Sequence, residues 1–212
     1  MFRLDPQRMS ALAVAWVGSL SIAILVTLGE AFPFRLSFVR PETFLTWFVR
    51  AELLFAVFFW PLLLRGLVRE GCAALGSLAT WGLLMALAVP LAAVAANLSA
   101  ATAGQACAGQ ILVAASAAPA AAVQAAARKR GWTRAGAWYF LGALVLSALP
   151  PFLHFLVREV EGTGDLSGFR WVSPFWAAAE APLGAAAALG ALALAGFGAD
   201  WLLWPRAPEE KT

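Results

Sequence analysis

Histidine and tyrosine each occur once in these 212 residues and cysteine twice, and the only lysines are Lys129 and Lys211. Each scarcity removes a class of chemistry. With His154 alone, bis-histidine haem ligation within one chain is impossible. Cys72 and Cys107 stand apart at the edges of apolar runs, with no CxxC or Cys/His spacing, so neither a zinc site nor a redox motif is expected. Neither lysine follows a GxxxxG run, so the chain has no phosphate-binding P-loop of its own. GxSxG and HExxH are also absent. Ser147 lies seven residues before His154, two helical turns or about 10 Å along an axis, too far for a nucleophile–base hydrogen bond. No catalytic, cofactor-binding or metal-ligating set is expected, and the reading is not an enzyme.

Charge is scarce too. Only 13% of the residues are charged, against about a quarter in a soluble domain. A formal net charge of +3 is modest and gives no reason to invoke nucleic acid.

What remains is apolar: 62% of the chain, with a mean hydropathy of +0.78. A membrane helix needs about 20 apolar residues, and six such runs are present. The expectation is an all-α polytopic membrane protein, one six-helix transmembrane bundle over residues 1–212. Its spans fall at about 10–29, 44–64, 73–97, 106–127, 135–157 and 175–204. Arg3 and Arg8 ahead of the first run resemble a signal peptide. The run is long and lacks a small-x-small cleavage site, so it reads as a retained span.

Lysine and arginine set the orientation. Arg3, Arg8, Arg65, Arg69, Arg128, Lys129, Arg130, Arg134, Arg206 and Lys211 fall on one side, ten in all. Arg35, Arg40, Arg50, Arg158 and Arg170, five in all, fall on the other. The richer side is cytoplasmic, which puts both termini inside and leaves a longer external loop at 158–174. Trp47, Trp171 and Trp176 then lie near the outer boundary, and Trp60, Trp132, Trp138, Trp201 and Trp204 near the inner one. Spans three, four and six are rich in Ala and Gly, which lets helix backbones approach closely, so they are expected inside the bundle. Spans two and five, with more Phe, Leu and Trp, are expected to face lipid or a second subunit.

Charges at membrane depth are costly and often functional. Glu180, set in Trp176-Ala-Ala-Ala-Glu-Ala-Pro182, is the sharpest candidate for an intramembrane polar site. It either pairs with Arg170 or Arg50 or lies at the outer interface within reach of water. Arg50 and Glu52 are too close in sequence to face each other on a helix, so each needs a separate partner. Gln110 and Gln124 in span four are candidates for interhelical hydrogen bonds or for lining a cavity. Pro61, Pro90, Pro119, Pro150, Pro151 and Pro182 lie in or beside spans, where each removes a backbone hydrogen bond.

The stretch Phe58–Gly71 combines an apolar run carrying Trp60 and Pro61 with a charged turn, Arg65, Arg69 and Glu70, between Gly66 and Gly71. Trp60-Pro-Leu-Leu-Leu-Arg-Gly-Leu-Val-Arg-Glu-Gly71 is similar to the span-two ending of ABC-2 type transporter permeases. Ala88-Val-Pro-Leu91 resembles the proline late in that family's third span. The small-residue fourth span ending at Arg128-Lys-Arg130 and the segment Trp171-Val-Ser-Pro-Phe175 continue the likeness. The resemblance implies a six-span permease subunit energised by a separate ABC ATPase and forming a homo- or heterodimer with another permease in a prokaryotic inner membrane. It also implies that the turn at Arg65, Arg69 and Glu70 couples to the ATPase. The family places a longer cytoplasmic segment after this turn, whereas here span three opens almost at once, at Cys72 or Ala73. The alternative function is a non-transporting membrane scaffold or assembly subunit of a larger complex. A lipid-modifying enzyme is opposed by the missing acid/base set.

The topology is directly testable. With Cys72 and Cys107 removed, single cysteines replacing Arg134 and Asp165 should react with impermeant thiol reagents from opposite faces of the membrane. Labelling of both from one face would end the six-span scheme.

Overall fold

The computed structural model describes residues 6–31, 43–61, 73–130, 134–161, 166–180 and 182–203. Every regular element among them is helical. The charged turn at Arg65, Arg69 and Glu70, both terminal segments and Asp165 lie outside the described residues.

Helix α1 spans Pro6–Ala31. It starts on a proline, which costs nothing at a first helical position because that N–H has no intrahelical partner. Leu12, Trp16, Leu20 and Ile24 are buried, and Val14, Ile22, Leu25 and Val26 are exposed. A spacing of four keeps the first set on one face. Helix α2 covers Phe44–Leu54 and runs on into a π-helical turn, Phe55–Phe59. Helix α3, Ala73–Leu98, carries Pro90 without ending there. Its buried face follows the same rule, through Trp81, Leu84, Ala88, Ala92 and Ala95.

A tight turn joins α3 to α4, Ala103–Ser116. Ala100 adopts a positive φ of 51° there. Thr102 then caps α4, its Oγ1 accepting from Gln105 N–H at 3.2 Å while Thr102 N–H donates to Gln105 Oε1 at 2.9 Å. This reciprocal box satisfies backbone donors that a helix start leaves open. Helix α5, Ala118–Arg130, follows after the single residue Ala117. Helix α6, Ala135–Glu161, passes through Pro150 and Pro151. A 3₁₀ turn, Ser167–Trp171, leads into the short helix α7, Pro174–Glu180, and then α8, Pro182–Leu203.

Among the described residues, four helical stretches are long and apolar enough to cross a membrane: Met9–Val26, Leu78–Leu98, Ala103–Val123 and Ala135–Val160. Pro182–Gly198 is a shorter apolar helix. Helix α8 packs along α4 and α5, and α2 touches α1, α3, α4 and α7. That arrangement overturns one expectation. The second span, expected at the surface for its bulky side chains, is the centre of the packing. Phe44, Leu45, Phe48, Val49, Glu52 and Leu53 are all buried. Helix α6 does lie outside, with only 6% of its apolar window buried.

Trp60 is a second correction. It was expected at the inner interfacial belt, but it is fully buried. Its ring lies 5.3 Å from that of Trp81, Trp81 lies 5.5 Å from Trp16, and Trp16 lies 4.5 Å from Phe55. These tilted pairs fall within the range at which aromatic rings attract beyond simple burial. Trp16 Nε1–H also donates to Leu84 O at 2.8 Å, which fixes α1 against α3. Trp47, Trp138 and Trp171 are exposed, the position an interfacial indole requires.

Among the described glycines, the one with least room for a side chain lies where α4 meets α2. A Cβ placed on Gly109 would stand 2.7 Å from Val49 Cγ2. Gly109→Ala should therefore destabilise the fold by about 1–3 kcal/mol, the usual cost of overpacking. Adding Val49→Ala should restore most of the loss. Denaturation in mixed micelles measures both, and a neutral single substitution would show that the two helices stand further apart.

Candidate functional site

Helical phase explains why Glu52 is buried. Phe48 and Val49 precede it by four and three residues, and Phe55 and Ala56 follow it by three and four. All are buried. The carboxylate therefore sits in the middle of the inward stripe of α2 and is itself fully buried. It finds a partner on α4, where Gln110 Nε2 donates to Glu52 Oε2 at 2.6 Å. The neighbouring Gly109 allows α4 close enough to Val49 for that bond to form.

The pair is incompletely satisfied. Glu52 Oε1 and Gln110 Oε1 are buried, and neither has a hydrogen-bond partner among the described residues. Both are acceptors. A donor is what either oxygen lacks, since both can only accept.

Arg50, two residues earlier, turns elsewhere. Its Nε donates to Phe175 O at 3.1 Å, and its guanidinium lies 5.1 Å from the Trp47 ring centroid. This bond ties α2 to the short helix α7. Phe58 of the π turn adds a second tie, with its ring stacked 6.1 Å from Phe175. A π turn inserts one residue per turn and is common at functional positions. Here it lies immediately after the Glu52 turn of α2.

Around α7 lies a more exposed polar group. Arg170 Nη1 donates to Glu180 Oε2 at 3.3 Å, and Trp176 Nε1 donates to Glu180 Oε1 at 3.2 Å. The Arg170 and Glu180 side chains are 38% and 45% exposed. His154 Nδ1 accepts from Leu166 N–H at 3.3 Å, and its ring packs 4.8 Å from Trp176. Ser173 Oγ, fully buried, donates to Ser147 O at 2.8 Å. Together these contacts hold the 3₁₀ turn and α7 against α6. Glu180 thus pairs with Arg170 at an accessible edge, whereas the deeply buried acid is Glu52. Sequence reasoning gave Glu180 the leading place and said of Glu52 only that it needs a partner other than Arg50. The signal that would have found it is the apolar residue at each of its i±3 and i±4 neighbours.

No grouping of three or more His, Cys, Asp or Glu that could hold a metal is present among the described residues. Ser147 and His154 stay apart in role, His154 engaged with Leu166 N–H and Trp176. Comparison of the chain with family models, with curated proteins and with solved structures gave no match.

The Glu52–Gln110 bond can be weighed by a double-mutant cycle. Interhelical hydrogen bonds in membrane proteins average about 0.6 kcal/mol and reach about 1.7 kcal/mol. Glu52→Ala and Gln110→Ala, alone and combined, should show a coupling energy in that range on unfolding from mixed micelles. Glu180→Gln in the same assay should change stability by less than about 1 kcal/mol, as for an exposed ion pair. Zero coupling in the cycle would separate the two side chains.

Proposed function

We propose that this chain is the six-span permease subunit of a transporter in a cell membrane, with both termini cytoplasmic and a separate ATPase supplying the energy. The observation that carries the reading is the fully buried Glu52, held by Gln110 with two acceptor oxygens left over. An ionisable group inside a membrane bundle is expensive, and such groups commonly mark substrate or ion pathways. An interrupted helix supports the same reading. The α2 helix passes into a π turn just beyond Glu52. Transporter sites are typically built where membrane helices are discontinuous.

The energy source is argued from the sequence. The chain has no P-loop, and the turn bearing Arg65, Arg69 and Glu70 resembles the coupling end of span two in ABC-2 type permeases. One such bundle supplies half a pathway, so a homo- or heterodimer belongs to this reading. The scaffold alternative rests on α6, whose long exposed apolar face offers a docking side to another membrane protein.

Reconstitution with an ATPase encoded beside this chain separates the two. The permease reading expects ATP hydrolysis to rise several-fold in the presence of the chain. Reversing Arg69 and Glu70 should abolish the rise without preventing membrane insertion. Stable co-purification with no stimulation, unaltered by the reversal, would favour the scaffold.

A further inference from the structure

Two side chains with two polar atoms each meet where α2 faces α4: Glu52, with Oε1 and Oε2, and Gln110, with Oε1 and Nε2. One bond joins them, from Gln110 Nε2 to Glu52 Oε2 at 2.6 Å. The other two atoms, Glu52 Oε1 and Gln110 Oε1, are buried oxygens without a hydrogen-bond partner among the described residues. Neither presents surface that a water molecule could touch, which leaves no room beside them for a water or a cation. A buried acceptor left unpaired costs free energy, and this pair leaves two, one on each group.

The charges around the pair do not answer it. The main elements packed against α2 are α1, α3, α4, α7 and its own π turn. Helix α3 and the π turn carry no titratable side chain. The charged residues of α1 are Arg8 and Glu30, in its first and last turns. On α4 the titratable group is Cys107, which is exposed. On α7 it is Glu180, bonded to Arg170 and Trp176. Arg50, on α2 itself, is engaged with Phe175 O and the Trp47 ring. What Glu52 meets is a neutral amide, and an ion buried without a paired charge is far costlier than a neutral acid.

We infer that the Glu52–Gln110 pair is a proton-binding site, in which Glu52 holds a proton on Oε1 and donates it to Gln110 Oε1. An ionised carboxyl group only accepts, whereas a protonated one gains an O–H donor. One proton thus turns two orphan acceptors into a single hydrogen bond and closes a ring of two reciprocal bonds, with all four polar atoms paired. It is also the one ligand that needs no room of its own. While α2 and α4 are apart, the carboxylate is hydrated and ionised. Closing the helices takes a proton from water and forms the O–H bond, and parting them returns it to water. Packing α2 on α4 is in this way linked to the uptake of one proton. The inference uses the pair on which the permease reading rests but does not require transport, since a scaffold would hold the proton equally. The ATPase measurement and the one below can therefore fail separately.

Infrared spectra of the full chain in alkyl maltoside micelles, which carry no carbonyl of their own, read the site directly. At neutral pH the wild type should show the C=O stretch of a protonated carboxylic acid, shifting in heavy water. Glu52→Gln should abolish the band and Glu180→Gln should keep it. Gln110→Leu should move it to higher frequency, because both hydrogen bonds to the acid are lost. A second measurement counts the proton. Where a free glutamate is ionised, a folded state that holds one proton more than the unfolded state loses stability as pH rises. Glu52→Gln carries an amide in place of the acid and forms both bonds without a proton. Relative to that variant, the folded-to-unfolded ratio of the wild type should fall about tenfold per pH unit near neutrality, every other titrating group cancelling in the comparison. Glu52→Gln is isosteric, so both comparisons with it stand even where Gln110→Leu does not assemble. Absence of the acid band, its survival in Glu52→Gln, or a wild-type pH profile that tracks Glu52→Gln overturns the proton site. A band indifferent to Gln110→Leu overturns the reciprocal bond to the amide.

Discussion

The packing depends on one hydrogen bond between residues 58 positions apart, Gln110 Nε2 to Glu52 Oε2. Polar groups inside an apolar bundle must find partners within the protein, because lipid supplies none. Glu52 sits on the inward stripe of α2, so the choice of partner fixes both the rotation of α2 and its distance from α4. Gly109 answers the distance requirement by bringing the α4 backbone against Val49. Once α2 is placed, its remaining inward residues organise the rest. Phe55 and Trp60 close on Trp16 of α1 and Trp81 of α3, while Arg50 and Phe58 hold α7 through Phe175. A fully apolar α2 would bury comparable area but would slide and rotate more freely, since dispersion contacts are not directional.

Much of this was legible in composition. Long Ala- and Leu-rich runs predict α1, α3, α6 and the joint extent of α4 and α5 to within a few residues, because length and apolarity are local properties, but they do not predict the break at Ala117. Burial was less legible for a physical reason. In water, bulky apolar residues point inward. In a membrane they serve equally well toward lipid, so residue size no longer separates core from surface. Helix α2, rich in Phe and Leu, was assigned outside on that ground, and its position is central. The usable signal was phase. Helices α1, α2 and α3 each bury a face with helical spacing, and in α2 that face includes a carboxylate. Trp60 was assigned to an interface by residue type, although tryptophan is as suited to a buried aromatic cluster.

The two acids show how depth changes the meaning of a similar contact. Glu180 has Arg170 and the Trp176 indole as partners, yet both members of the ion pair stand more than a third exposed. Water screens that pair, and exposed pairs contribute little to stability. Glu52 has only a neutral amide, but its contact is sheltered from solvent and its alternatives are worse. Removing one partner of a buried pair costs more than the pair contributes, because the orphan remains. Sequence alone ranks Glu180 first because it stands out in a run of alanines. Energetics ranks Glu52 first.

The π turn links these features. An α-helix that continued unbroken past Leu54 would turn its residues steadily about the axis, and one extra residue per turn shifts that phase. Before the turn, α2 presents Glu52 and Val49 to α4. Within and after it, Phe55 and Trp60 meet the indoles of α1 and α3 while Phe58 reaches α7 and the Phe140 ring of α6, 5.3 Å away. One helix thereby serves partners on several sides, which a regular stripe of that length could not do. A π turn holds fewer backbone bonds in place than the α-helix around it, so relaxing it toward α geometry would rotate the Trp60 end relative to the Glu52 end. Such a rotation would separate the aromatic contacts from the polar one while leaving each helix intact. The polar pair and the aromatic cluster are thus coupled mechanically through five residues, Phe55–Phe59, and strain applied at the Trp60 end would reach Glu52 before it reached any other polar side chain of α2.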